Sequence, residues 1–388
     1  MRQELEPENI HLRFYSDNNI APTGQIGPLA SVTKYREALY NQLGLHKMAI
    51  KGCDILEVAC GTGENSVYVA SNSPASLTLL EPNPMGFRLT HELYGGLKIA
   101  HTAPHIIPSR IEDFHPTRQY DVVICENWLG ASTYDRKIFQ KLLALCKSGS
   151  ILITTVISPT GILSNLLRRI LSTRIASKLP DDEVLEVLTA LWSQHLNLLS
   201  GMTRRNSDWV IDNMINPAYL GISVTPTDIA AEVINEFDIH STYPKFTQDF
   251  RWFKTLTDLK PKTAEMHFRN QYICNSHNFI DAKLTPFSGQ IALNEKFEST
   301  CRTLFYAVGF WEKSVGLERE KYWLKIAKLL KKIGSQIQQI YEPEESTAMG
   351  RCISYVVDEH VNIEAIGSCE KFGRWFGRET MYMSILRR

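Results

Sequence analysis

An excess of charge is the first thing this sequence lacks: 42 lysines and arginines stand against 42 aspartates and glutamates, for a formal net charge of +0. A chain so balanced does not cling to nucleic acid by phosphate attraction, and nucleic acid is not expected as its partner. It also has no run of about 18 apolar residues, so no membrane span is expected. Its opening, MRQELEPENIHLRFYS, is polar and acidic, without the apolar centre of a signal peptide, which points to the cytoplasm. Its 8 cysteines include no Cys-x-x-Cys pair, and several sit inside apolar runs. Free thiols in a reducing compartment are the expectation, not a disulfide framework or a zinc site. Internal repeats and low-complexity linkers are missing too. What remains is ordinary: 44% hydrophobic and 22% charged residues, enough to bury a core and exclude disorder. At roughly 150 residues per domain, the length allows two to three folding units.

Residues 51 to 158 alternate short apolar runs with helical stretches, the mark of a parallel α/β unit. The runs are CDILEV, SLTLLE, HIIPSR, YDVVICE and SILITTVIS. Each is almost continuously apolar, as a strand covered on both faces should be. YDRKIFQKLLALCKSG reads as a helix ending at its glycine. From 160 to 200 the period becomes 3.6, giving two helices. In the first, Ile162, Leu163, Leu166, Leu167, Ile170 and Leu171 form the apolar stripe, with Arg168, Arg169 and Arg174 off it. TPTDIAAEVINEFDIHSTYP reads as a capped helix and a further strand. The last third is mostly helical, and GRETMYMSILRR has the look of a closing strand.

The informative stretch is DILEVACGTGENS. A strand ends near Glu57, and the small-residue loop Ala59-Cys60-Gly61-Thr62-Gly63 follows, expected to turn straight into a helix. Small side chains let a ligand approach the backbone, and a helix start offers free N–H groups. About 20 residues on, the second strand ends in Glu81-Pro82, where a carboxylate accepts ribose hydroxyls. A dinucleotide fingerprint wants a third glycine where this chain has Ser66, and Glu57 would repel a pyrophosphate. An ammonium, by contrast, suits Glu57. A sulfonium bearing an amino-acid tail and an adenosine body fits all these features.

Here the sequence resembles the class I S-adenosylmethionine-dependent methyltransferases, over roughly residues 50 to 160 and 225 to 244. EVACGTGENS is similar to the first motif of that family, with Glu57, Gly61 and Gly63 in place and Ala59 for its first glycine. LLEPNP resembles the second, with Glu81 the ribose acid and Pro82 beside it. SRIEDF resembles the adenine-bordering segment, making Ile111 and Glu112 the implied contacts, although Arg110 stands where relatives often carry an acid. YDVVICENWLG resembles the fourth, placing Glu126, Asn127 and Trp128 beside the transferable methyl. It lacks the Asn/Asp-Pro-Pro-aromatic tetrapeptide often seen in enzymes that methylate bases or glutamine. The resemblance implies a Rossmann-like α/β fold, a seven-stranded mostly parallel sheet with one reversed strand, with S-adenosylmethionine as cofactor. The organisation expected is an N-terminal helical cap (1–50), a cofactor-binding core (51–160), a helical substrate-side insertion (161–224), a return to the core (225–254) and a mostly helical accessory region (255–388). Arg36 in the cap is a candidate for the cofactor carboxylate.

Methyl transfer is an in-line displacement that needs no catalytic dyad, and none stands out. Glu126 and His195 are the candidates for a general base. Trp209, Asp212, Asn213 and Tyr219, within RRNSDWVIDNMINPAYLG, combine aromatic and polar groups as an acceptor pocket requires. No metal site is expected: His101 and His105 have Pro104 between them and no third ligand. The lysine face at Lys325, Lys328, Lys331 and Lys332 reads as solvated, blunted by Glu342, Glu344 and Glu345. A small-molecule acceptor is the main expectation. A peptide or protein acceptor, or cofactor binding without catalysis, stays open.

Overall fold

The computed structural model describes residues 10–18, 20–21, 28–97, 102–128, 135–199, 201–202, 204–217, 224–233, 235–258 and 260–388. Seven strands form one sheet: β1 (Asp54–Val58), β2 (Ser76–Leu80), β3 (His105–Ile107), β4 (Tyr120–Cys125), β5 (Cys146–Ile157), β6 (Phe237–Tyr243) and β7 (Thr380–Arg387). The helices before β5 are α1 (Ile10–Asp17), α2 (Leu29–Gln42), α3 (Lys47–Ile50), α4 (Val67–Ala70), α5 (Pro84–Gly96) and α6 (Asp135–Ala144). After it come α7 (Leu163–Ala176), α8 (Asp181–Leu196), α9 (Asn206–Val210), α10 (Pro226–Val233) and α11 (Pro261–Asn275). The last are α12 (Ile291–Lys313), α13 (Gly316–Ile340), α14 (Pro343–Val357), α15 (Ile363–Gly367) and α16 (Glu370–Arg374).

Strand order is β3-β2-β1-β4-β5-β7-β6, with parallel pairing from β3 through β5 and an antiparallel β6–β7 pair. In β1 every residue after Asp54 is buried, as the apolar run requires. The register aligns Val58 with Leu80 and with Cys125. Glu57, Glu81 and Glu126 therefore gather at the carboxyl ends of three neighbouring strands, where open α/β sheets bind ligands. One helix end departs from expectation: α6 stops at Ala144, not at Gly149. Tyr120 N–H bonds the Leu145 carbonyl at 2.8 Å and Tyr120 pairs with Cys146, so strand pairing takes over early. Gly149, at φ 78°, then sits in the bulged start of β5.

The chain divides into two compact units: Met1–Val156, Pro226–Phe268 and Met381–Arg388 make the first, Ile157–Thr225 and Arg269–Thr380 the second. In the first, Tyr40, Leu43, Leu45 and Ile50 pack onto Ile55, Leu77, Val122 and Ile153. In the second, α7 is buried nearly all round by α8, α12 and α14. This corrects the reading of its arginines. Arg168 and Arg169 are buried, not on an open face. Arg169 survives there by donating to Asn213 O, Asn216 O and the Glu312 carboxylate, each at 2.9 Å. A single apolar stripe understates a helix that is covered on every side.

Candidate functional site

The glycine loop owes its shape to left-handed backbone. Ala59 (φ 58°), Gly61 (φ 63°) and Gly63 (φ 83°) all adopt positive φ. Ala59 does so at a cost of about 1 kcal/mol, which a glycine avoids. At Gly63 a Cβ would also stand 2.9 Å from Thr90 Cγ2, so only glycine fits. From α5, Thr90 Oγ1 donates to Gly61 O at 2.9 Å and steadies the loop. The helix expected directly after the loop is only one turn, α4, and begins at Val67. Instead of facing a ligand, Gly61 N–H donates to Glu81 Oε2 at 2.7 Å.

Glu81 receives a second backbone N–H, from Asn83, at 2.8 Å. A carboxylate has about four lone-pair positions, so two stay available. Burial pushes its carboxyl up to about 7, against the pull of those two N–H groups. Asn83 caps α5, accepting from Met85 N at 2.8 Å and Gly86 N at 3.1 Å, with Pro84 at the first helical position. Glu57 is buried, and its Oε2 accepts no hydrogen bond among the described residues. Burial first, then the Glu126 charge, pushes it up to about 7. A buried carboxylate oxygen without a donor is costly unless a cationic ligand supplies one.

Beside it, Glu126 is clamped by α2. Arg36 makes a buried ion pair with it, and Tyr40 Oη donates to its Oε1 at 2.8 Å. Arg36 Nε also donates to Asn65 Oδ1 at 2.9 Å, tying α2 to the glycine loop. Burial opposes the charge on Arg36, but Glu126 with Tyr382, Tyr40 and Glu57 holds its pKa above the ordinary arginine value. Tyr382 of β7 belongs to this group; burial raises its phenol while Arg36 opposes. Asn127, at φ 56°, donates its N–H to Thr155 Oγ1 at 2.6 Å. Replacing Arg36 by methionine leaves buried carboxylates without their cation and is expected to cost about 3–5 kcal/mol. Urea unfolding measures it; an unchanged midpoint refutes the clamp, and adding Glu126→Gln should recover part of the loss.

A pocket at the sheet edge is lined by Val58, Ala59, Pro82, Ser109, Arg110, Ile111, Glu112 and Trp128. Pro82 was expected beside the ribose acid and Ile111 and Glu112 at the adenine; the structure brings all three into this pocket. Trp128, expected on the acceptor side, lines this same pocket. Glu112 Oε1 accepts from Arg110 Nη2 at 2.9 Å, while its Oε2 is buried without a donor among the described residues.

The remaining candidates lie in the second unit and are engaged within it. His195 is packed between Trp192 and Phe372, with Nε2 3.0 Å from Ile366 O. Burial, with Arg168 beside it, pushes the ring down to about 4, so it is neutral at pH 7. Trp209 packs on Phe376, and Asn213 Nδ2 donates to Trp209 O at 2.9 Å. Asp212 is ion-paired with Arg204. Tyr219 lies outside the described residues. No group of three or more metal-ligating side chains occurs among the described residues. Sequence reading passed over Tyr40, Asn65 and Tyr382. The four-residue spacing of Arg36 and Tyr40 on one helix face was a usable signal. For Tyr382, more than 250 residues away in the chain, no local signal exists.

No family model and no curated protein matches the chain. Solved structures do. A magnesium protoporphyrin IX methyltransferase from Synechocystis is 15% identical at TM-score 0.29, over 38% of this chain and 69% of that one. An S-adenosylmethionine-dependent methyltransferase from Clostridium acetobutylicum is 21% identical at TM-score 0.25, over 29% of this chain and 46% of that one. The plantazolicin methyltransferase BpumL is 17% identical at TM-score 0.28, over 46% and 60% respectively. The chain thus spans less than half of the Clostridium protein's length. The similarities are remote, and the weight falls on the chain's own topology. A seven-stranded, mostly parallel sheet ordered β3-β2-β1-β4-β5-β7-β6, closed by an antiparallel last pair, is a Rossmann-like α/β fold, and this chain has it.

Proposed function

We propose that the protein transfers a methyl group from S-adenosylmethionine to a small-molecule acceptor. The observation that carries this reading is Glu57, a buried carboxylate near the end of β1 whose Oε2 accepts no hydrogen bond among the described residues, beside a left-handed glycine loop. Bound there, the cofactor supplies an electrophilic methyl on a sulfonium. The chain's residues do the rest. Glu57 accepts the ammonium hydrogens, and Glu81 uses its remaining lone pairs for the ribose hydroxyls. Pro82, Ile111 and Trp128, which line one pocket, would hold the adenine, and Glu112 Oε2 would accept from its amine.

Glu126 is ion-paired with Arg36 through one carboxylate oxygen and accepts from Tyr40 Oη through the other, so both its oxygens are engaged by α2. His195 is occupied in its own core. The reaction therefore rests on positioning and exclusion of water, which suffice for an in-line displacement. A small acceptor accords with Glu126-Asn127-Trp128, which departs from the tetrapeptide of base and glutamine methylation.

Calorimetry with S-adenosylmethionine and its demethylated product tests the reading. Both should bind, and Trp128→Ala should weaken them about tenfold by removing ring contact. No heat from either ligand, or undiminished binding by Glu81→Ala with Gly61→Arg, rejects it. Transfer of a radiolabelled methyl to extracted metabolites then separates an enzyme from a cofactor-binding protein.

A further inference from the structure

Between β6 and α11 the first unit exposes an aromatic turn that the proposed chemistry does not use. Phe250 is 91% exposed, Trp252 62% and Phe253 68%. Single exposed apolar residues need no explanation, but three within four positions do. The turn is well anchored. Phe246 is buried against Phe268, ring centres 5.5 Å apart, and Thr255 Oγ1 donates to Trp252 O at 2.9 Å. Residues 253–258 form a 3₁₀ turn.

The stretch 245–262 carries Lys245, Arg251, Lys254, Lys260 and Lys262 against only Asp249 and Asp258. Arg251 forks onto Asp249, Nε at 2.9 and 3.0 Å, so that acid is already matched. Lys245, Lys254, Lys260 and Lys262 are exposed, and Lys254 lies beside the aromatic rings. Charge of one sign is thus concentrated here in a chain that is neutral overall.

We propose that this turn docks the protein onto a bilayer surface carrying anionic lipid. Tryptophan and phenylalanine place apolar bodies in the headgroup boundary, and the lysines complement the negative surface. Single-stranded nucleic acid would need open ring faces for stacking. Lys254 Nζ instead lies 5.0 Å from the Trp252 ring centre and 5.9 Å from that of Phe253. The two rings meet edge-on, 6.0 Å apart at 74°. That geometry favours the lipid surface. No helix among the described residues is long and apolar enough to cross a membrane.

Sedimentation of the full chain with phosphatidylcholine vesicles, with and without phosphatidylserine, tests this. Binding is expected to the anionic vesicles and to weaken with salt. Phe250→Ser with Trp252→Ser and Phe253→Ser should lower it about 100-fold, and Lys254→Ala with Lys260→Ala about fivefold per residue. All five side chains are exposed, so thermal midpoints should stay at the wild-type value. Equal binding to neutral and anionic vesicles overturns the proposal, as does wild-type binding by the triple variant. So does failure to sediment with either vesicle while a single-stranded RNA oligonucleotide binds and the same substitutions abolish it.

Discussion

Replacing Glu57 by glutamine is expected to weaken S-adenosylmethionine binding by about 10- to 100-fold, the worth of a charge-assisted hydrogen bond in a buried site. Glutamine keeps the shape and one acceptor but loses the charge that answers an ammonium. The substitution should also change the pH dependence. In the free protein the Glu57 carboxyl sits at about 7, pushed up by burial and then by Glu126. An ammonium demands the ionised form, so binding expels a proton. Wild-type affinity should therefore rise from pH 6 to 8, by about tenfold per unit below 7 for each proton released. Glu81, held at about 7 by burial, contributes a second proton if its carboxylate meets the ribose. Glu57→Gln should remove one proton from the count and leave the other.

The stability of the free protein runs the opposite way. Both carboxyls bind protons more tightly folded than unfolded. Their contribution is fully present below the ordinary glutamate value of 4.5 and is lost as pH rises through about 7. Calorimetry at pH 6, 7 and 8, in buffers of different ionisation enthalpy, counts the protons. Equal affinity and equal proton release in the variant would remove Glu57 from the site.

Arg168→Met is expected to destabilise the second unit by about 3–5 kcal/mol, a fall in melting temperature on the order of 10 °C. Arg168 is wholly buried, yet its guanidinium is well matched. Nη2 donates to Phe372 O at 2.5 Å and Trp375 O at 3.0 Å, and Nη1 to Asn165 Oδ1 at 3.2 Å. Its Cζ lies 3.9 Å from the Phe376 ring centre and 4.8 Å from that of Phe372. Methionine fills much of the volume but leaves those carbonyls without a donor. Burial already pulls Arg168 down to about 9, so the charge is held against a penalty. The same core explains His195. Its ring is depressed from 6.5 to about 4, so its stability contribution is present above 6.5 and lost as pH falls through about 4. Thermal unfolding followed by tryptophan fluorescence at pH 4 to 8 reads both effects. A wild-type melting curve for Arg168→Met would show the contacts to be idle.

The two readings of arginine mark where sequence reasoning stops. Arg168 and Arg169 looked like the polar side of an amphipathic helix, because periodicity records one apolar face and says nothing of what covers the others. Only packing by α8, α12 and α14 turns that side inward. Arg36 was legible as a site candidate, but its partner was not. Glu126 lies 90 residues away, and their pairing depends on α2 lying at the carboxyl ends of β1 and β4. Trp128 shows the same limit, since its position after β4 is plain while its direction, toward Pro82 and Ile111, is a matter of loop geometry.

By itself, the sequence determined the strands, the glycine loop and the acids that close β1 and β2. Those depend on local hydrophobic runs, on glycine's freedom at positive φ, and on spacing within about 30 residues. Tertiary structure alone decided which side chains meet. Tyr382 joins Arg36 only because β7 inserts between β5 and β6, and His195 is a packed core residue only because Phe372 closes over it. Contacts between distant residues follow from how elements stack, and no local pattern records them.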